Sequence, residues 1–87
     1  IRSRLNKEEV TSKVKEIISG VLEQGENVEN INDDTNLLTD YGFDSIMLVE
    51  LISEIEDSFD IMFSDEDMDI EKLYSFGGLI KCIIKNL

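Results

Sequence analysis

Histidine, proline and tryptophan are missing from this chain of 87 residues, and cysteine occurs once. Without histidine, no Ser-His or Cys-His nucleophilic pair can be assembled. A lone cysteine without histidine excludes a structural zinc site. Cys82 has no partner for an internal disulfide, so a reducing, cytoplasmic setting is expected. Aromatic residues are few, four Phe and two Tyr. No apolar run approaches membrane-spanning length. The opening residues lack the apolar stretch and small-residue cleavage site of a signal peptide. Basic residues are scarce: eight face twenty acidic ones, for a formal net charge of -12. That field repels nucleic acid and anionic membrane and attracts basic protein surfaces. What remains is a chain long enough for one small domain, 41% hydrophobic, with a modest core.

Residues 1–6 are expected to form a flexible tail and 7–87 the domain. Asn6 is placed to cap a first helix, with Glu8 and Glu9 favourable in its first turn. Val10, Val14, Ile17, Ile18 and Val21 follow at helical spacing, so the helix should run to about Glu23. Gly20 weakens it locally. Gln24 to Asp44, rich in Asn, Asp, Gly and Thr, reads as a long loop pinned to the core by Leu37 and Leu38. One helical turn within it would begin at Asp34 or Thr35. Loops of this length in small domains tend to be functional. A second helix should start at Asp44 or Ser45, with Leu48, Leu51, Ile52, Ile55 and Phe59 on its core face. Asp60 to Glu71 is acidic and broken, with room for a short helix around Asp65 to Asp69. Ser75 then caps a last helix whose core face is Phe76, Leu79, Ile80, Ile83, Ile84 and Leu87. The expected fold is all-α: a small four-helix bundle of three main helices, a short third one and a long first loop.

The residues Tyr41-Gly42-Phe43-Asp44-Ser45-Ile46 lie where the loop becomes the second helix. Gly42 can turn the chain through positive φ. Asp44 and Ser45 both suit the cap of a helix whose first N–H groups lack intrahelical partners. A phosphate is stabilised at such a terminus by those donors and by the helix dipole. Taken alone, Asp-Ser before a helix is an ordinary cap. The residues that follow argue for more. Ile46 and Val49 lie away from the core face, Met47 lies at its edge, and Glu50, Glu54 and Asp57 share the outward side. An apolar patch rimmed by carboxylates fits a docking surface, with charge to steer a basic partner. Single exposed Ile or Val residues are also ordinary, and Val49 has the option of packing under the long loop.

The stretch Gly42-Phe43-Asp44-Ser45-Ile46-Met47-Leu48-Val49-Glu50-Leu51 resembles the attachment motif of the phosphopantetheine-binding carrier proteins, acyl and peptidyl, whose core is Asp-Ser-Leu or Asp-Ser-Ile. The likeness extends over nearly the whole chain. The first helix, the loop with Asp34-Thr35-Asn36-Leu37-Leu38, the Phe59 end of the second helix and the acidic short helix fall in the family's order. The resemblance implies that Ser45 receives a 4'-phosphopantetheine arm from coenzyme A, with a phosphopantetheinyl transferase supplying the base and Mg²⁺. Asp44 would aid transferase recognition or metal approach. The arm's thiol would hold acyl or aminoacyl cargo as a thioester. Ile46, Met47, Val49, Glu50 and Glu54 would be read by partners: a loading enzyme, synthase or condensing enzymes, and a thioesterase. The implied protein is a non-catalytic, monomeric carrier. Ile46-Met47 after the Asp-Ser pair looks like carriers of polyketide or nonribosomal peptide assembly. Phe43 replaces the second Gly of the peptidyl carriers' Gly-Gly-Asp-Ser pattern, which leans towards the polyketide type. High acidity pulls back towards freestanding carriers, and a carrier of fatty acid synthesis is the alternative.

Two rival readings come from the residues themselves. An acidic helical adaptor would bind a basic protein and use Ser45 only as a cap. A calcium-responsive module would use Asp65, Asp67 and Asp69, which open like a calcium loop. That loop needs Gly at its sixth position and Glu at its twelfth, and here those are Ile70 and Phe76. The acidic run reads better as a solvated face. Cys82, at the edge of the last helix face, reads as packing rather than a reactive thiol.

Overall fold

The computed structural model describes residues 6–22 and 28–87. The expected tail at Ile1 to Leu5 and the expected first-helix end at Glu23 lie outside them. Three long helices, α1 (Lys7–Leu22), α3 (Ser45–Phe59) and α5 (Phe76–Asn86), supply most of the core. Two five-residue helices, α2 (Leu37–Tyr41) and α4 (Ile70–Tyr74), and a 3-10 turn (Asp65–Asp67) fill the connections. The described residues contain no strand, only an isolated bridge between Asn36 and Ser75.

Asn6 belongs to the folded unit rather than to a tail, because it caps α1. Its Oδ1 accepts the Glu9 N–H at 2.8 Å, and its own N–H donates back to Glu9 Oε1 at 3.4 Å. Val10, Val14 and Ile18 are fully buried along α1, while Ile17 and Val21 pack at the rim. Lys13 lies 5.7 Å over the Phe59 ring, linking α1 to the end of α3. The expected face of α3 is buried in full: Leu48, Leu51, Ile52, Ile55 and Phe59. On α5, Phe76, Leu79, Ile80 and Ile83 are buried, but Ile84 and Leu87 are exposed. Among the described residues no element covers those two positions, so helical spacing overstated the face by one turn.

The loop before α3 is ordered by short polar residues bonding their own backbone. Thr35, itself buried, accepts the Asn32 N–H on its Oγ1 at 2.9 Å, and Asn32 Oδ1 accepts the Asp34 N–H at 2.8 Å. The turn that follows is capped by Asn36, not by Asp34 or Thr35. Asn36 Oδ1 accepts from Leu38 N–H and Thr39 N–H at 2.9 and 3.0 Å. Only Leu37 is buried; Leu38 points outward with 47% exposure, because one turn places adjacent residues on different sides. The loop is fastened to α5 by Phe76 N–H to Thr35 O at 2.9 Å and Gly77 N–H to Asp33 O at 3.2 Å. This approach requires glycine, since a Cβ on Gly77 would come within 2.9 Å of Asp33 O; at the junction with α4, one on Gly78 would come within 2.5 Å of Lys72 O.

The expected short helix at Asp65 to Asp69 is instead divided. The 3-10 turn covers Asp65–Asp67, and α4 begins only at Ile70. The reason is Asp67, which is buried rather than part of a solvated face. Its Oδ2 accepts from Ser64 N–H (3.0 Å), Ser64 Oγ (2.9 Å) and Asn86 Nδ2 (3.1 Å), and its Oδ1 pairs with Lys85 Nζ at 2.8 Å. Those bonds hold the turn against the end of α5 and hold the Asp67 carboxyl well below the ordinary carboxylate range, with the Lys85 bond as the largest cause.

Candidate functional site

Gly42, at φ 69°, ends α2 in the left-handed region that glycine adopts without strain. Its N–H bonds back to the Leu38 carbonyl, and the Phe43 N–H bonds to that of Leu37. Phe43 is then driven fully into the core. With Phe43 anchored, the chain enters α3 in a fixed direction. Sequence reasoning gave Phe43 no such part. Its apolar bulk between two turn residues, Gly42 and Asp44, was the available signal.

Asp44 is the N-cap, with an extended backbone and its Oδ1 accepting the Met47 N–H at 2.8 Å. Ser45 is the first helical residue. It is exposed, and its hydroxyl bonds to no described residue. The N–H groups of Ser45 and Ile46 also find no hydrogen-bond partner among the described residues. The site therefore presents a free primary hydroxyl beside two open backbone donors at the positive end of a 15-residue helix. A phosphodiester on Ser45 fits these residues: its oxygens have donors to accept from, and its chain leaves into solvent.

Down the same helix, Ile46 and Val49 are 70% and 61% exposed, and Met47 is half-buried against the core. Glu50 and Glu54 are exposed and line a groove between α3 and α1, with Glu16, Ile17, Gly20 and Val21 opposite. Asp57 is exposed one turn further on. Glu56 is spent internally, its Oε2 accepting the Phe63 N–H at 2.8 Å. Ile46, Val49, Glu50 and Glu54 thus lie off the core face of α3 with Ser45 at its head, while Met47 packs at the edge of that face. The sequence did not single out Met62, Met68 and Ile70, all exposed on the α3–α4 segment. An isolated apolar residue in an acidic connection carries no periodicity to reveal its direction.

Residues 12–83 match the family described as phosphopantetheine attachment site. The chain belongs to that family. Its cofactor is 4'-phosphopantetheine, held covalently. Among curated relatives, the acyl carrier protein of Desulforapulum autotrophicum is 41% identical over 76 residues, covering 87% of this chain and 95% of that protein. The acyl carrier protein of Thermotoga maritima is 35% identical over 82 residues, 94% of this chain and 96% of its own length. A mitochondrial acyl carrier protein of Saccharomyces cerevisiae is 34% identical over 86 residues, 97% of this chain and 67% of that protein. Among the described residues of this family member, no helix is long and apolar enough to cross a membrane.

Proposed function

We propose that this family member is a non-catalytic acyl carrier, located in the cytoplasm, that holds acyl intermediates as thioesters on a phosphopantetheine arm attached to Ser45. The observation that carries the reading is the free Ser45 hydroxyl beside the open N–H groups of Ser45 and Ile46. The phosphodiester it would carry lies where helix donors and dipole favour a negative charge. Ser45 is the acceptor of the arm. Asp44 fixes the helix start that aims Ser45 outward, and its second carboxylate oxygen is available to the transferase and its metal. Ile46, Met47 and Val49 supply apolar contact to partner enzymes, while Glu50 and Glu54 steer basic surfaces towards it. Those partners are a phosphopantetheinyl transferase, a loading enzyme, condensing enzymes and a thioesterase. The relatives' names favour acyl over aminoacyl cargo. Ile46-Met47 favours the polyketide type; a second reading, fatty acid synthesis, is favoured by the acidic surplus.

The test is intact mass after incubation with coenzyme A, Mg²⁺ and a broad-specificity transferase. A gain of one phosphopantetheine, absent in Ser45→Ala, is the expected result. No gain on a folded sample, with a known carrier modified alongside, would leave Ser45 an ordinary first-turn residue. Offering the loaded protein to a malonyl transferase of fatty acid synthesis separates the pathways. Charging at the rate of that enzyme's own carrier would support the second.

A further inference from the structure

The six lysines among the described residues divide into two groups. Those of α1 are occupied: Lys7 pairs with Asp33 at 3.1 Å, Lys13 covers Phe59, and Lys15 Nζ reaches the Glu29 carbonyl at 3.4 Å. The other three, Lys72 of α4 and Lys81 and Lys85 of α5, line a single hollow of about 620 Å³ with Cys82. Lys85 is held by Asp67. The ammonium groups of Lys72 and Lys81 make no ion pair or hydrogen bond with any described residue, in a chain whose acids outnumber its bases twenty to eight. Two cations are thus left open around one depression, against the sign of the whole molecule.

We infer that this α4–α5 hollow is a docking surface for a carboxylate-rich segment of a partner protein, opposite in sign to the outer face of α3. Lys81 and Lys85 stand one turn apart on α5, and Lys72 approaches from the neighbouring helix. Charges spread in this way match several carboxylates along a chain better than one small anion. The lysines are exposed and hydrated, and Glu66 and Asp67 also line the hollow, so a lone phosphate finds no enclosed set of donors there. A second copy of this chain would bring two net charges of -12 together. The acidic surplus repels such a segment from most of the other described surface, which favours the hollow. Such contacts fix orientation and speed encounter more than they add affinity. The inference does not depend on Ser45 bearing an arm.

The experiment is a titration of the isotope-labelled full chain with an end-capped hexaglutamate peptide, followed by amide chemical shifts. Saturable shifts at Lys72, Lys81, Cys82 and Lys85 are expected, weakening severalfold at about 0.3 M salt. They should vanish in Lys72→Glu/Lys81→Glu and weaken in Lys81→Gln, a milder change that serves if the double variant misfolds. Bound peptide should also slow alkylation of Cys82. Absent shifts, or shifts spread beyond α4 and α5, would overturn the inference. So would equal shifts from inorganic phosphate at matched charge, which mark a general anion site. Self-association of the free protein that the double variant abolishes would assign the surface to a second copy instead.

Discussion

Asp44 and Ser45 are neighbours with separable roles. Asp44 makes the capping bond to Met47 N–H, whereas the Ser45 side chain bonds to no described residue. Asp44→Ala should therefore lower stability by about 0.5–2 kcal/mol in denaturant melts. Ser45→Ala should leave stability within about 0.5 kcal/mol of the parent while abolishing arm attachment. If Ser45→Ala is the more destabilising change, Ser45 and not Asp44 holds the helix start. Asp67 allows a second residue-level prediction. Its carboxyl is held below its ordinary range by Lys85, Ser64 and Asn86, so below about pH 4 the unfolded chain binds a proton that the folded one refuses. Its stabilisation is complete above the ordinary carboxylate range and lost as pH falls through the lowered folded value. Asp67→Asn should lower the melting temperature at neutral pH, with the gap to the parent closing progressively in acid. A gap that is constant with pH would remove the charge from the explanation.

At the scale of elements, α3 has two faces with different work. Leu51→Ala empties a fully buried site and should cost about 2–5 kcal/mol. Val49→Asp, on the exposed side, should leave the melt nearly unchanged while slowing reactions with partner enzymes. Unfolding by Val49→Asp would show that the outer face is packed. The α4–α5 junction depends on close approach. Gly78→Ala would set a Cβ 2.5 Å from the Lys72 carbonyl oxygen, a backbone atom that cannot swing aside. A drop in melting temperature is expected despite alanine's better helix propensity. A gain would mean that the two helices can separate at no cost.

For the whole molecule, the charge of -12 sets how it meets its partners. Attraction between exposed charges is screened beyond about 10 Å at 0.1 M salt. The rate of arm transfer by a basic transferase should therefore fall as salt rises, mainly through KM, and Glu50→Lys should flatten that dependence. A salt-insensitive rate would mean that apolar contact with Ile46 and Val49 governs docking, with charge incidental.

The three long helices, the core face of α3 and the attachment motif were legible in the sequence. Regular spacing and local capping chemistry are short-range properties that each segment carries with it. The last turn of α5 was misread because periodicity says which residues share a side, not whether anything covers it. The Asn36 cap is local chemistry too, but three neighbouring candidates, Asp34, Thr35 and Asn36, left its position open; the division of the acidic segment into a 3-10 turn and α4 was decided only by packing. Asp67 looked like one more solvated carboxylate. Its burial depends on Lys85 and Asn86, eighteen and nineteen residues away, which only the folded chain brings to it. The sequence by itself determined the helices and where the phosphopantetheine arm is expected. The tertiary structure decided which charges are spent inside the fold and which stay open to partners, because that depends on distances no local pattern encodes.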